Sequence, residues 1–145
     1  MSNPFTQLLR VRYAECDTQN VVFNARYVEY VDVAFTEFTR AVWGGYQKII
    51  ERGLDSQVVN MTVDWASSAT FDDVLAIEVE CDHIGNTSYS MTFDIRVRGT
   101  GQQIAKARAV YVMVSATEHQ KCPIPDDLKE ALRAGAPGVV ADQAG

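Results

Sequence analysis

The period of hydrophobic and polar positions changes twice along the chain. From Thr6 to Ala14 apolar and polar residues alternate, which predicts a first strand. From Asn24 onward the apolar residues recur at i, i+4, i+7 and i+8, the spacing of one helix face. This pattern predicts a long helix with Asn24 as N-cap and a stop at Gly44–Gly45. A second, shorter helix is predicted for residues 46–52.

The rest of the chain returns to strand periodicity. Four more strands are predicted, at 57–65, 74–82, 89–98 and 104–115. Glycine-containing segments between the last three are typical of hairpin turns. The order of elements predicts an α+β domain with an antiparallel five-stranded sheet wrapped around a long central helix.

Residues 1–133 are predicted to form this single domain, which ends in a short helix from Asp126 to Arg133. The segment 134–145 is rich in Ala and Gly, and we expect it to be a disordered tail. A length of 145 residues is that of one domain with a substantial core.

Composition excludes several classes of function. The net charge of −6 disfavours a nucleic-acid-binding surface, which needs a basic face. The three cysteines are far apart and have no metal-ligand spacing, which favours free thiols in a reducing cytoplasm. We identify no signal peptide, and no segment approaches the ~20 apolar residues of a membrane span.

The candidate for chemistry is Asp17. It follows the first predicted strand and precedes the helix start at Asn24 by a few residues. A helix N-terminus offers free N–H groups and a positive dipole end, so a carboxylate beside it is a candidate base or nucleophile near an oxyanion site. The competing interpretation is an ordinary turn aspartate, whose side chain binds nearby N–H groups.

The run around Asp17 resembles a known family. Arg10-Val11, Cys16-Asp17, Asn20-Val21-Val22 and Tyr27, followed by the helix, resemble the hotdog-fold acyl-CoA thioesterases of the 4-hydroxybenzoyl-CoA thioesterase type. The resemblance implies a hotdog fold, hydrolysis of an acyl-CoA thioester and no metal or redox cofactor. It also implies homodimers formed through sheet edges that assemble into homotetramers.

The same resemblance assigns roles to individual residues. Asp17 matches the catalytic aspartate, and the N–H groups around Phe23 and Asn24 match the donors that polarise the thioester carbonyl. Tyr27 matches an aromatic position of the first helical turn, for which core packing is the alternative. Where relatives often have His or Phe, this chain has Asn24, which cannot shuttle a proton near neutral pH. Asn24-Ala25-Arg26-Tyr27 is similar to long-chain acyl-CoA thioesterases.

Other residues are candidates for substrate contacts. In this fold the segment with Ser67 and Ser68 lies near the acyl pocket, and ordinary turn chemistry is the alternative. Basic residues on two neighbouring strands are candidates for binding CoA phosphates or for keeping an exposed sheet face soluble; they are Arg96, Arg98, Lys106 and Arg108. Side chains of the helix and the facing strand would set pocket depth; they are Phe35, Phe38, Val59, Met61 and Val63.

Several alternatives stay open. Asp17 could attack the carbonyl or deprotonate a water. A hotdog dehydratase is discounted, because it would need a histidine five residues after the aspartate, where this chain has Val22. A non-catalytic acyl-ligand binding module and a thioesterase acting on acyl carrier protein are the remaining competitors. The sequence does not choose among aryl, short-chain and long-chain acyl groups.

Overall fold

A computed structural model describes residues 3–145 of the chain. Its elements are β1 (Phe5–Arg10), a single 3₁₀ turn (Tyr13–Glu15), α1 (Arg26–Trp43), α2 (Tyr46–Glu51), β2 (Leu54–Trp65), β3 (Val74–Ile84), β4 (Ser88–Val97), β5 (Gln103–Ser115), α3 (Asp126–Ala134) and β6 (Val140–Gln143). No helix of this described part is long and apolar enough to cross a membrane.

One face of the sheet carries the core beneath α1. The strands lie in the order β2-β5-β4-β3-β1-β6. Alternate residues of β3 and β4 are buried, as the period-two pattern predicts. From α1, Phe38 packs edge-to-face on Phe5 at 5.6 Å, and Phe35 stacks on Tyr111 at 4.3 Å between ring centroids. Both phenylalanines proposed to set the depth of the pocket are therefore core residues, and the α+β class is confirmed.

The sheet differs from the prediction in having six strands and mixed direction. The sixth strand, β6, comes from the segment predicted to be disordered and pairs in parallel with β1, from Thr6↔Val140 to Leu9↔Gln143. Gln7 Nε2 donates to Gln143 Oε1 at 2.8 Å, and Arg10 Nε donates to the Ala144 carbonyl at 2.8 Å. The prediction of a disordered tail is wrong because the open edge of β1 supplies partners that composition does not reveal.

The first strand is shorter than predicted. It ends at Arg10 instead of Ala14, and a 3₁₀ turn follows. The Glu15 carboxylate accepts the Arg12 N–H at 2.8 Å and closes this turn. Asp17 therefore follows a turn rather than a strand end, because a local side-chain bond competes successfully with continued strand pairing.

The start of α1 also differs from the prediction. The helix begins at Arg26, with Ala25 at the N-cap position and no side-chain cap. The Asn24 side chain is thus not used for capping. The predicted stop is confirmed: Gly44 takes a left-handed conformation, φ 78°, and donates to the Thr39 carbonyl.

Candidate active site

A tight turn fixes Asp17. The Asp17 N–H donates to the Val21 carbonyl at 2.8 Å, and the Asn20 N–H donates to the Asp17 carbonyl at 3.0 Å. Asn20 has φ 64°, a left-handed conformation that Asn tolerates better than most residues. The Gln19 N–H donates to Asp17 Oδ1 at 2.8 Å. Asp17 is thus the turn aspartate of the competing interpretation, yet its Oδ2 has no hydrogen-bond partner among residues 3–145.

Asp17 lines an open cavity of about 310 Å³, here called the Asp17 cleft. The cleft brings together five residues predicted from the sequence: Asp17, Asn24, Tyr27, Ser67 and Ser68. Val21, Val22 and Trp65 add apolar wall, and Asp17 is the only carboxylate in the lining. Over residues 3–145, no group of three or more His, Cys, Asp or Glu side chains is arranged to hold a metal ion.

The free backbone donors at the helix start are those of Asn24 and Ala25. The Phe23 N–H is engaged, because it donates to the Glu15 carbonyl at 2.9 Å. The N–H groups of Asn24 and Ala25 have no partner within residues 3–145. Such donors and the positive end of α1 favour a developing negative charge. Of the N–H groups around Phe23 and Asn24 that were predicted as donors, that of Phe23 is engaged and those of Asn24 and Ala25 are free; their role as donors stays a prediction.

Tyr27 has mainly the packing role that was the alternative to a substrate contact. It is buried, and its ring packs edge-to-face on Tyr30 at 5.7 Å and on Trp65 at 5.9 Å. Its hydroxyl accepts the Ala69 N–H at 3.2 Å. Burial raises the pKa of Tyr27, so the phenol stays protonated and cannot act as a base near neutral pH. Tyr27 forms a wall of the cleft.

The two serines of the cleft are held differently. Ser67 Oγ donates to the Gln103 carbonyl at 2.6 Å, which is a structural bond at the end of β2. Ser68 is exposed, and its hydroxyl has no partner among the described residues. The segment is tied to the Asp17 turn by a 2.9 Å bond from the Val22 N–H to the Ala69 carbonyl. Ser68 is thus the hydroxyl that is free to contact a ligand.

None of the arginines proposed to bind CoA lines the Asp17 cleft. Arg108 pairs with Asp82 at 3.0 Å and bonds Ser90 Oγ at 3.1 Å. Arg96 pairs with Asp94 at 3.4 Å. Arg98 has no side-chain partner among residues 3–145 and lies by another cavity, between β1, β3 and β6. A CoA-binding role for these three residues stays a prediction.

Sequence reasoning missed a buried carboxylate beside the site. Glu15 Oε1 accepts the Tyr30 hydroxyl at 2.9 Å, and Glu15 Oε2 accepts the Arg12 guanidinium at 2.8 and 3.1 Å. Its side chain is only 6% exposed. Together with the Arg12 N–H bond, these contacts connect the segment before Asp17 to α1. The only sequence signal was a glutamate next to Cys16-Asp17, whose partner fifteen residues away no pattern revealed.

The pKa of Glu15 reflects two opposing effects. Burial by itself would raise it, but hydrogen bonds from the Arg12 backbone, the Arg12 guanidinium and the Tyr30 hydroxyl together lower it. The Tyr30 pKa is raised, chiefly by burial and also by Glu15. Glu15 is therefore ionised and fully engaged near neutral pH, and it is not available as a second base.

The sequence matches a known family model and is similar to proteins named as thioesterases. The family model of the thioesterase-like superfamily matches residues 11–132. The acyl-CoA thioesterase YbgC of Haemophilus influenzae is 26% identical over 91% of this chain and 96% of that protein. The acyl-CoA thioester hydrolase YbgC of Escherichia coli O6:H1 is 28% identical over 83% of this chain and 89% of that protein.

Solved structures share the fold. A 1,4-dihydroxy-2-naphthoyl-CoA thioesterase from Synechocystis superposes with a TM-score of 0.80 at 21% identity, over 88% of this chain and 94% of the other. At 21% identity this structural similarity supports the fold alone. It confirms the helix-on-sheet arrangement expected of a hotdog thioesterase.

Proposed function

The chain belongs to the thioesterase-like superfamily, and we propose that it hydrolyses acyl-CoA thioesters to a carboxylic acid and CoA in the Asp17 cleft. The observation that carries this proposal is that Asp17 and Asn24 line the same cleft, one with a free carboxylate oxygen and the other with an unpaired N–H group. The unpaired Ala25 N–H follows at the N-cap of α1, and Asp17 lies in the turn that precedes this helix start. The relatives named as acyl-CoA thioesterases support the substrate class.

The chemistry needs little more than these groups. The thioester carbonyl oxygen would accept hydrogen bonds from Asn24 N–H and Ala25 N–H, which stabilise the negative charge of the tetrahedral intermediate. Asp17 would either attack the carbonyl carbon, giving an anhydride that water then cleaves, or take a proton from an attacking water. CoA leaves as a thiolate in both routes, so no strong general acid is required. Both routes remain part of the proposal.

Two competing functions use the same cleft. A non-catalytic acyl-binding module would also need its apolar wall, but it gives no reason for a free carboxylate oxygen and an unpaired N–H donor in one cleft. A thioesterase for acyl carrier protein would use the same chemistry with another carrier.

The free thiols of Cys16, Cys81 and Cys122 fit the cytoplasmic location that we predict.

A steady-state screen tests the proposal. The purified protein is expected to hydrolyse at least one member of a panel of aryl-, short-chain and long-chain acyl-CoAs, with thiol release followed by a chromogenic disulfide. The same acyl groups on acyl carrier protein form the comparison arm. Binding of acyl-CoA without thiol release would favour the binding module, and release from acyl carrier protein alone would replace CoA as the carrier.

We also propose that β2 forms the dimer edge. This strand is at one end of the sheet order, and it exposes apolar side chains at Val58, Val59 and Trp65. The opposite edge is the four-residue β6. A long, apolar, unpaired edge is a template for pairing with another chain. Because Trp65 also lines the Asp17 cleft, a second copy at this edge would lie beside the site, and pairing of dimers would give the expected homotetramer.

Charge at this edge tests the interface. Val59→Lys is expected to shift the protein to a smaller species in sedimentation or light scattering and to lower kcat/KM, because a partner at β2 would bury the new charge. The matched control is Val140→Lys, which places the same charge on the exposed β6 edge and should keep the parental size. If both variants dissociated to the same extent, or if neither dissociated, β2 would not be the interface.

A further inference from the structure

Two aromatic rings stand exposed on the outer side of the Asp17 turn. Tyr13 is 79% exposed and Phe71 is 56% exposed, and their rings meet edge-to-face at 6.0 Å between centroids. Tyr13 lies in the 3₁₀ turn before Asp17, and Phe71 lies in the loop between β2 and β3. Each ring could bury a large area if a planar group packed against it. Their exposure is not explained by the core or by the proposed catalytic groups.

Tyr13 of this pair lines a second cavity, which shares Asp17 with the first. The cavity measures about 410 Å³, and Tyr13, Cys16, Asp17 and Asn20 are in its lining. Asp17 therefore forms part of the wall of both cavities. The first has the apolar residues Val22 and Trp65 in its lining, and the second has the exposed ring of Tyr13.

Three arginines are close, along the chain or through a bonded partner, to the segments that carry the two rings. Arg10 pairs with Asp72, the neighbour of Phe71, at 3.3 Å. Arg12 is adjacent to Tyr13, and Arg26 reaches the Ala14 carbonyl at 3.5 Å. Their carboxylate partners occupy only some of the five N–H donors of each guanidinium. The pairs of Arg10 and Arg26 are exposed and therefore weak, so phosphate groups can compete for these two arginines.

We propose that Tyr13 and Phe71 form a stacking platform for the adenine of CoA, with Arg10 and Arg26 facing its phosphates. The assignment rests on the proposed function in one respect, namely that the carrier is CoA. The acyl group would enter the Asp17 cleft on the apolar side, and the carrier would leave on the side of the rings and arginines. The thioester would then lie at the wall that the two cavities share.

The stacking platform would distinguish CoA from acyl carrier protein as the carrier of the acyl group. Stacking on an aromatic side chain is a common way to bind a nucleotide base, because every base offers a π-face. Acyl carrier protein presents only the phosphopantetheine arm and has no adenine. An adenine platform therefore favours acyl-CoA over acyl carrier protein at this site, which separates the two carriers that the catalytic groups alone do not distinguish.

The test separates adenine from the rest of the substrate. Tyr13→Ala and Phe71→Ala are each expected to raise the Kd for CoA, measured by calorimetry, by about tenfold or more. KM for acyl-CoA should rise in parallel with little change in kcat. Hydrolysis of the matching acyl-pantetheine, which lacks adenine, should be unchanged. Tyr13→Phe should keep the parental Kd because it keeps the ring.

The controls cover folding and assembly. Val139→Ala removes an exposed apolar side chain from the loop before β6 and should leave every parameter unchanged. Equal losses with acyl-CoA and acyl-pantetheine, losses confined to aryl acyl groups, or a change of oligomeric state with unchanged Kd would each overturn the platform. If the parent binds CoA through Tyr13 and hydrolyses no thioester, the proposed function fails while the adenine site stands.

Discussion

Asp17→Asn is expected to lower kcat for acyl-CoA hydrolysis by about 10²–10⁴-fold. The amide oxygen can still accept the Gln19 N–H, so the turn that Asp17 closes should persist. What disappears is the negative charge on the free oxygen, which both proposed routes require. Single-turnover measurement of thiol release gives the rate of the chemical step, and calorimetry with CoA should show unchanged binding of the carrier.

The matched control for this substitution is Asp142→Asn. Asp142 Oδ1 accepts the Ala144 N–H at 3.0 Å, which is the same bond to residue i+2 that Asp17 makes. Asp142 lies within β6 and lines neither of the two cavities that include Asp17. Asp142→Asn should keep parental kcat. If Asp17→Asn retained parental activity as well, Asp17 would be only a turn residue and the proposed mechanism would be wrong.

Glu15→Ala is expected to reduce the free energy of unfolding by about 2–3 kcal/mol, because it leaves the buried Tyr30 hydroxyl and the Arg12 N–H without their acceptor. Urea denaturation followed by circular dichroism measures the loss. Since Glu15 also holds the segment before Asp17, kcat should fall. The comparison variant is Glu130→Ala, in which an exposed glutamate loses only an i,i+3 pair with Arg133; its unfolding free energy should change by less than about 0.5 kcal/mol.

A second substitution checks the cause of the Glu15 effect. Tyr30→Phe in the Glu15→Ala background removes the unpaired hydroxyl and should restore part of the lost stability. Additive losses in the double variant would mean that the Tyr30–Glu15 bond is not the source of the effect, and the assignment of Glu15 as a positioning residue would fail.

The same carboxylate predicts a pH dependence of stability. The pKa of Glu15 is lower in the folded protein than its ordinary value of 4.5. A lowered folded pKa contributes stability that is fully present above the unfolded pKa and is lost as pH falls through the folded pKa. The parent should therefore lose more stability than Glu15→Ala as pH falls from about 5 to 3. Parallel curves for the two proteins would contradict this contribution.

The sequence by itself determined much of the fold because local periodicity reports burial directly. The alternation of β3 and β4, the long two-sided pattern of β5 and the helical stripe of α1 placed these elements within a few residues of their observed ends. The motif around Asp17 also identified the cleft, since Asp17, Asn24 and Tyr27 are close along the chain and a short turn keeps them together. Such features depend on neighbours in sequence.

Only the tertiary structure decided features that depend on distant partners. The tail became β6 because β1 offered an open edge, and Glu15 became a buried anchor because Tyr30 lies above it on α1. The Phe23 N–H is not free near the helix start because the Glu15 carbonyl accepts it. A hydrogen bond forms only where packing brings a donor and an acceptor together. The local sequence pattern shows one of these two groups and not its partner.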